Sequence, residues 1–296
     1  MNDFQDWALS IQSRTESALE KLLPSAQIAP NRLHEAMRYA VLGGGKRVRA
    51  LLAHATADLC GADAEKADNA AAAVELIHAY SLVHDDMPCM DDDDLRRGKP
   101  SCHKKYDDAT ALLVGDALQS LAFQALSQPK LFSLPERQLE MVNVLAIASG
   151  SRGMAGGQAI DLASVGQSLD QAELEHMHIH KTGALIRAAA LLGAYCSETS
   201  RPEHIKAIDH YAQYIGLAFQ VVDDILDAEA DTATLGKTAG KDAASNKPTY
   251  VTILGLSRAK ELARELYENA IRHVASFGND AKRLVQLADY ITQRGF

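Results

Sequence analysis

Aromatic side chains are scarce in this chain of 296 residues, at 5% of the total with a single tryptophan. Apolar alternation of strand type is equally hard to find, so a fold built on sheets is excluded. Cysteine is rare: Cys60, Cys89, Cys102 and Cys196 form no CxxC pair, which excludes a thiolate metal frame and a disulfide scaffold. The N-terminal segment lacks a basic stretch ahead of an apolar one, so no secretory signal is expected there and the thiols are expected reduced in the cytoplasm. There is no uncharged apolar run of about 18 residues, so no membrane-spanning helix is expected. An excess of positive charge is also missing; the net charge of -9 argues against a general nucleic-acid binder. No Ser/Gly/Pro linker and no short repeat divides the chain, which predicts one domain over residues 1–296.

What is present is helical periodicity, rich in alanine and leucine. Breaks fall at Pro24 to Pro30, Gly43 to Gly45, Cys60-Gly61, Pro88, Gly98 to Pro100, Pro129 to Pro135, Arg201-Pro202 and roughly Asp231 to Pro248. They delimit about ten helices and predict an all-α bundle.

Two of these helices carry polar stripes on otherwise apolar surfaces. Glu75, His78, Ser81 and Asp85 lie on one face of Ala70–Asp86, and Gln213, Gln220, Asp224 and Asp227 on one face of His210–Asp227. A stripe facing water would look the same on either helix alone. Two such stripes, each ending in clustered aspartates, point to a shared polar site, because buried charge must be paired or bound to metal.

The run from Asp85 to Asp94 holds six carboxylates in ten positions. Held close at an effective dielectric near 20, each pair would repel by up to about 4 kcal/mol, so the run must be solvated or neutralised by cations. Hard oxygen donors suit Mg2+, which keeps waters and binds a few carboxylates together with substrate phosphates. Asp85 and Asp91 would lie about 240° apart on a regular helix, but Pro88 breaks the spacer and allows them to meet. In the second cluster, Asp223 and Asp227 share a helical face without any kink, with Asp224 beside them. No window has the ligand spacing of an EF-hand.

Cationic positions accompany the acids. Gly43-Gly44-Gly45 runs into Lys46, Arg47 and Arg49, a glycine turn at a helix start that suits an anion without being a Walker A motif. Arg96-Arg97 follow the first acidic run; Lys237, Lys241 and Lys247 punctuate the loop after the second. Lys181 follows His176, His178 and His180, a series expected at the surface. Gly150, Gly153 and Gly157 would let a helix over Ser149–Asp161 pack closely, either against another helix or beside a bound chain.

With GGGKRVR, HDDMPCMDDDDLRRG, GDAL at Gly115–Leu118, KTG at Lys181–Gly183, FQVVDDILD and GKD…KPTY, the chain resembles the trans-prenyltransferases, or polyprenyl synthases, most nearly their short-chain bacterial farnesyl members. The resemblance implies an all-α bundle around a deep apolar cavity, usually homodimeric. It implies that Asp85 and Asp91, assisted by Asp86, hold two Mg2+ on an allylic diphosphate, and that Asp223, with Asp224 and Asp227 nearby, holds a third. Lys46, Arg49, His78 and Arg97 would bind isopentenyl diphosphate. Arg96, Lys181, Lys237 and Lys247 would contact the allylic diphosphate, with Thr182 and Gln220 along the path of the carbocation. Ala50 stands where the family commonly has proline, a departure that removes no ligand.

The activity so implied is condensation of isopentenyl diphosphate with dimethylallyl and geranyl diphosphates to give (2E,6E)-farnesyl diphosphate. Tyr80 lies five residues before Asp85, about 7.5 Å along the axis, where a bulky side chain would stop a growing C15 tail; Ser81 beside it is small. Alternatives are a geranyl or geranylgeranyl product, a terpene cyclase, against which the isopentenyl site at Lys46, Arg49 and Arg97 counts, and a non-catalytic metal-binding helical partner.

Overall fold

The computed structural model describes residues 3–129, 131–233 and 248–292, with the side chains of 230–233 outside that description. The described residues are all-α, with fourteen α-helices of which two are a single turn or little more. In order these are α1 (Asp3–Leu22), α2 (Asn31–Val41), α3 (Val48–Leu59), α4 (Ala64–Asp85), the short α5 (Cys102–Lys105), α6 (Asp108–Leu126), α7 (Pro135–Ser149), α8 (Met154–Ser164), α9 (Gln171–His178), α10 (Ala184–Tyr195) and α11 (Pro202–Ala233). After the undescribed segment come α12 (Tyr250–Leu254), α13 (Leu256–Val274) and α14 (Lys282–Thr292). The strands among the described residues are two-residue pieces, β1 (Leu95–Arg96) and β2 (Lys99–Pro100), paired antiparallel around the expected Gly98 break.

Helix starts follow side-chain chemistry. Asp63 caps α4 by accepting from the Glu65 amide, Asp107 caps α6 through Thr110, and Asp170 with Glu173 forms a capping box on α9. The expected single helix over Ser149–Asp161 is instead broken: Gly150 to Gly153 form a turn, and α8 begins at Met154. Gly157 then serves close helix packing, since a Cβ there would lie 2.0 Å from the backbone nitrogen of Lys181.

The helices form two compact units. One comprises residues up to Leu145 together with Leu192–Ser200. Its centre is α4, buried around its circumference from Ala70 to Ile77 and packed between α3 and α6. Alanines at Ala50, Ala53 and Ala71 allow α3 and α4 to approach. Arg14 clamps α1 to α4 through both carboxylate oxygens of Asp68, at 3.1 and 2.7 Å. α6 is long and apolar enough to cross a membrane, yet it carries Asp116 and lays Ala111, Val114 and Leu118 against the core beside α4.

The other unit comprises Ala146–Leu191 and residues from Arg201 onward. Here α11 packs along α13, burying Val221, Val222 and Ile225 with Leu262, Ala263 and Leu266. Each large aliphatic side chain so buried contributes roughly 1.5–3 kcal/mol. Tyr211 donates to the carbonyl of Leu284 at 2.7 Å, tying α11 to α14.

Candidate active site

The first acidic run folds back on itself where Pro88 ends helical continuity. The Asp91 amide donates to the Asp85 carbonyl at 2.8 Å, and the Asp93 amide to that of Asp86 at 3.1 Å. The backbone thus joins Asp85 and Asp91, which the Pro88 break allows and a regular helix would not. Both are half-buried, while Asp86 is only 2% exposed. Asp86 accepts from Arg96 Nε at 3.0 Å and pairs with its terminal nitrogen; Arg96 also stands 3.6 Å from Asp93. Burial would lower the Arg96 pKa, but Asp86 and the neighbouring acids hold it above its ordinary value.

The cationic positions of the same unit meet at the glycine turn. Gly43, Gly44 and Gly45 all have positive φ, between 95 and 118°, a conformation that side chains resist. The guanidinium of Arg97 lies against Gly45 and donates to the Gly44 carbonyl at 2.6 Å. Arg49 is half-buried and Lys46 exposed, at the start of α3. His78 is half-buried on α4, and its imidazole is held well below its ordinary pKa, first by burial and then by the charges of Arg49, Arg97, Arg47 and Arg96. A neutral imidazole among four guanidinium charges is an arrangement that an anion relieves.

Three side chains hold this turn: Glu16, with no role expected from the sequence, Arg47 of the basic helix start and Glu75 of the α4 stripe. Arg47, in the left-handed region at φ 49°, is 5% exposed and binds Glu75 at 3.1 Å, Glu16 at 2.8 Å and the Val41 carbonyl at 2.6 Å. Glu75 also accepts from the Ala50 amide at 3.1 Å, a bond that proline at that position could not make. Glu16 accepts from Gly43 at 2.6 Å; burial would raise its carboxyl, but the Gly43 amide and Arg47 keep it below the usual range. Glu75 in the α4 stripe therefore positions the turn. Ser81 donates to the His78 carbonyl at 2.9 Å. Tyr80 is 8% exposed and stacks edge-on with His84. Gly115 of the GDAL motif makes room for that histidine, since a Cβ there would lie 1.9 Å from His84 Nε2.

In the other unit a π-helical turn, Ile179–Gly183, separates α9 from α10 and presents Lys181 and Thr182. Lys181 pairs with Asp161, which is 5% exposed. Thr182 Oγ1 lies 3.4 Å from Gln220 Oε1, and Gln220 Nε2 donates to Asp224 at 2.9 Å. The second oxygen of Asp224 accepts from the Tyr250 amide at 2.8 Å. Asp224 is 4% exposed, whereas Asp223 is half-buried and Asp227 exposed. Of the second stripe, Gln213 is exposed and bonded to Asp209, so the stripe does not share one environment.

The histidine series is not uniformly at the surface. His176 is exposed and His180 half-buried, but His178 is 7% exposed and stacked on Tyr250 at 5.5 Å. Burial pushes its pKa down to about 4. Alternate positions on a helix diverge, and α9 turns His178 inward beside buried Leu174 and Met177. Lys237, Lys241 and Lys247 lie outside the described residues.

A family model described as polyprenyl synthetase matches residues 30–288. The farnesyl diphosphate synthase of Escherichia coli K12 is 46% identical over 296 residues, 99% of each chain. Geranylgeranyl pyrophosphate synthase 11 of Arabidopsis thaliana is 45% identical over 297 residues, covering 99% of this chain and 82% of its own. The crystal structure of a geranyltransferase from Helicobacter pylori, complexed with magnesium and isoprenyl diphosphate, is similar with a TM-score of 0.85 at 32% identity over 99% of each chain. On the length of these matches, and on the aspartate and glycine motifs they span, the chain belongs to the polyprenyl synthetase family.

Proposed function

We propose that this chain is a short-chain trans-prenyltransferase, condensing isopentenyl diphosphate with dimethylallyl and then geranyl diphosphate to give (2E,6E)-farnesyl diphosphate and diphosphate. The observation that carries the reading is the juxtaposition in one unit of a folded-back aspartate loop and a glycine turn against which Arg97 lies, near His78, which burial and four guanidinium charges keep neutral. The first suits a metal-bound diphosphate and the second a diphosphate bound directly. A terpene cyclase has no use for the second. The 46% identity to a farnesyl diphosphate synthase supports the C15 product, and the 45% identity to a geranylgeranyl synthase keeps C20 as the second reading.

Asp85 and Asp91, and separately Asp223 with Asp227, offer the hard oxygen donors that Mg2+ takes. Bound there with the allylic substrate, up to three Mg2+ would supply Lewis-acid stabilisation of the departing diphosphate. Asp86 and Asp224 act through their partners: Asp86 fixes Arg96, and Asp224 fixes Gln220 and the amide of Tyr250. Arg96 and Lys181 are assigned to the leaving diphosphate, and so are Lys237 and Lys247, which lie outside the described residues. Because the Asp224 carboxylate can only accept, it takes the Gln220 NH2 and leaves the Gln220 oxygen turned toward Thr182. That neutral dipole faces the allylic cation without quenching it. Lys46, Arg49, His78 and Arg97 hold isopentenyl diphosphate while its double bond attacks allylic C1. The adduct then loses a proton to the released diphosphate.

Tyr80, with Ser81 beside it, sets chain length as the floor of an apolar cavity. The chain works as one domain and as a homodimer; exposed Leu112 and Leu113 on α6 and Leu139 on α7 support an apolar interface. We place it in the cytoplasm. Isothermal titration tests the core of this reading: isopentenyl diphosphate should bind without metal and an allylic analogue only with Mg2+. Chromatography of products from dimethylallyl and isopentenyl diphosphates should show C15. Binding of only one of the two, or a C20 product, would overturn the respective part.

A further inference from the structure

The hairpin that carries Arg96 and Arg97 is closed at its base by residues that have no part in the chemistry above. Asp92 and Asp94 precede it, and Ser101 and His103 follow it. The Ser101 amide donates to the Asp94 carbonyl at 2.9 Å. A carboxylate oxygen of Asp92, one of Asp94 and a ring nitrogen of His103 all lie within 4.8 Å of one another. The two carboxylates are exposed, but His103 is 6% exposed. Its Nδ1 is 3.1 Å from Ser101 Oγ, and its Nε2 is buried with no hydrogen-bond partner among the described residues. A buried imidazole nitrogen without a partner is costly, and a cation shared with two carboxylates would satisfy it.

We propose that Asp92, Asp94 and His103 form a binding site for one divalent transition-metal ion, distinct from the aspartates assigned to Mg2+. The donor set is two carboxylates and one imidazole, which suits Zn2+, Co2+, Ni2+ or Mn2+ better than the all-oxygen preference of Mg2+. Ser101 supplies the outer support: by accepting from Nδ1–H it fixes the tautomer whose Nε2 lone pair is available. Lys104, 2.9 Å from Asp94, is the competing cation and gives way when the metal binds. A metal at this position ties Asp92 and Asp94 to His103 across the base of the hairpin and so restrains Arg96 and Arg97. It makes prenyl transfer responsive to such metals independently of Mg2+.

The test is calorimetric titration of the full chain with Co2+, in excess Mg2+ and without diphosphate. One site per chain is expected, and it should persist in Asp85→Asn, Asp223→Asn and Cys89→Ser. Ser101→Ala should weaken it about 10-fold, and His103→Gln, Asp92→Asn and Asp94→Asn by more. Lys104→Ala should tighten it. In the wild type labelled with 15N-histidine, the His103 ring resonances should shift with Zn2+. Because His103 is buried, the exposed Asp92 and Asp94 variants, checked by circular dichroism, carry the test if His103→Gln misfolds. Titrations unchanged in the Asp92 and Asp94 variants, or abolished by Asp85→Asn, would overturn the proposal and leave the prenyltransferase reading intact.

Discussion

Arg97 rests on Gly45: a Cβ at that glycine would lie 3.0 Å from the guanidinium carbon and 3.1 Å from one of its nitrogens. The contact joins two motifs 52 positions apart, and it exists because Gly45 has a φ of 118° and no side chain.

Gly45→Ala should therefore push Arg97 away and strain the turn. A misplacement of this kind costs about 10- to 100-fold in kcat/KM. The loss should appear mainly as a higher KM for isopentenyl diphosphate, with the KM for geranyl diphosphate little changed. Steady-state kinetics with each substrate varied in turn would check it; equal effects on both substrates would contradict the separation of the two diphosphate sites.

Removing the outward aspartates should be severe. Asp85→Ala or Asp223→Ala should each lower kcat by about 100- to 1,000-fold, the scale of losing one strong electrostatic contact in a transition state. Chelator should abolish turnover and added Mg2+ restore it. Near-normal kcat/KM in both variants would remove these residues from the metal role.

Chain length should respond to Tyr80. Shortening Tyr80 to Ala should shift the product from C15 toward C20 or longer with turnover retained. Since Tyr80 is buried and packed edge-on against His84, part of its role is packing, so the melting temperature should fall as well. An unchanged C15 product from a folded, active variant would contradict the assignment.

His178 makes stability depend on pH. Its pKa is about 4 in the folded chain against 6.5 in the open, so the unfolded state binds more protons between those values. Stability is fully present above pH 6.5 and declines as pH falls toward 4, by up to about 3 kcal/mol in total. His178→Phe, which keeps a ring against Tyr250, should flatten that part of a denaturation profile measured in urea.

Much of this arrangement is legible in the chain, and the limits are specific. Pro88 signals the fold-back of Asp91 onto Asp85 because proline stops helical hydrogen bonding. The α4 stripe is legible as a row of polar residues but not as a division of roles: Glu75 serves Arg47, a partner 28 positions away, and periodicity carries no such information. His178 escapes for the same reason, since its burial depends on Tyr250, 72 positions later. The turn at Gly150 to Gly153 is hidden by small residues that suit a helix, a turn or a close contact alike. The site at Asp92, Asp94 and His103 depends on how the hairpin closes.

Both acidic motifs begin with a doubled aspartate, and in both the second member is internal: Asp86 and Asp224 are 2% and 4% exposed, while Asp85 and Asp223 are half-buried. Neighbours on a helix point about 100° apart, so a doubled acid, whether at the end of α4 or within α11, splits into one residue for the ligand and one for the scaffold. A saturation screen scored separately for cellular abundance and for product should sort them accordingly. Substitutions at Asp86 and Asp224 would deplete the protein itself, whereas those at Asp85 and Asp223 would leave abundant protein that makes no isoprenoid. Each Asp-Asp motif would then read as two overlapping signals, one for turnover and one for folding.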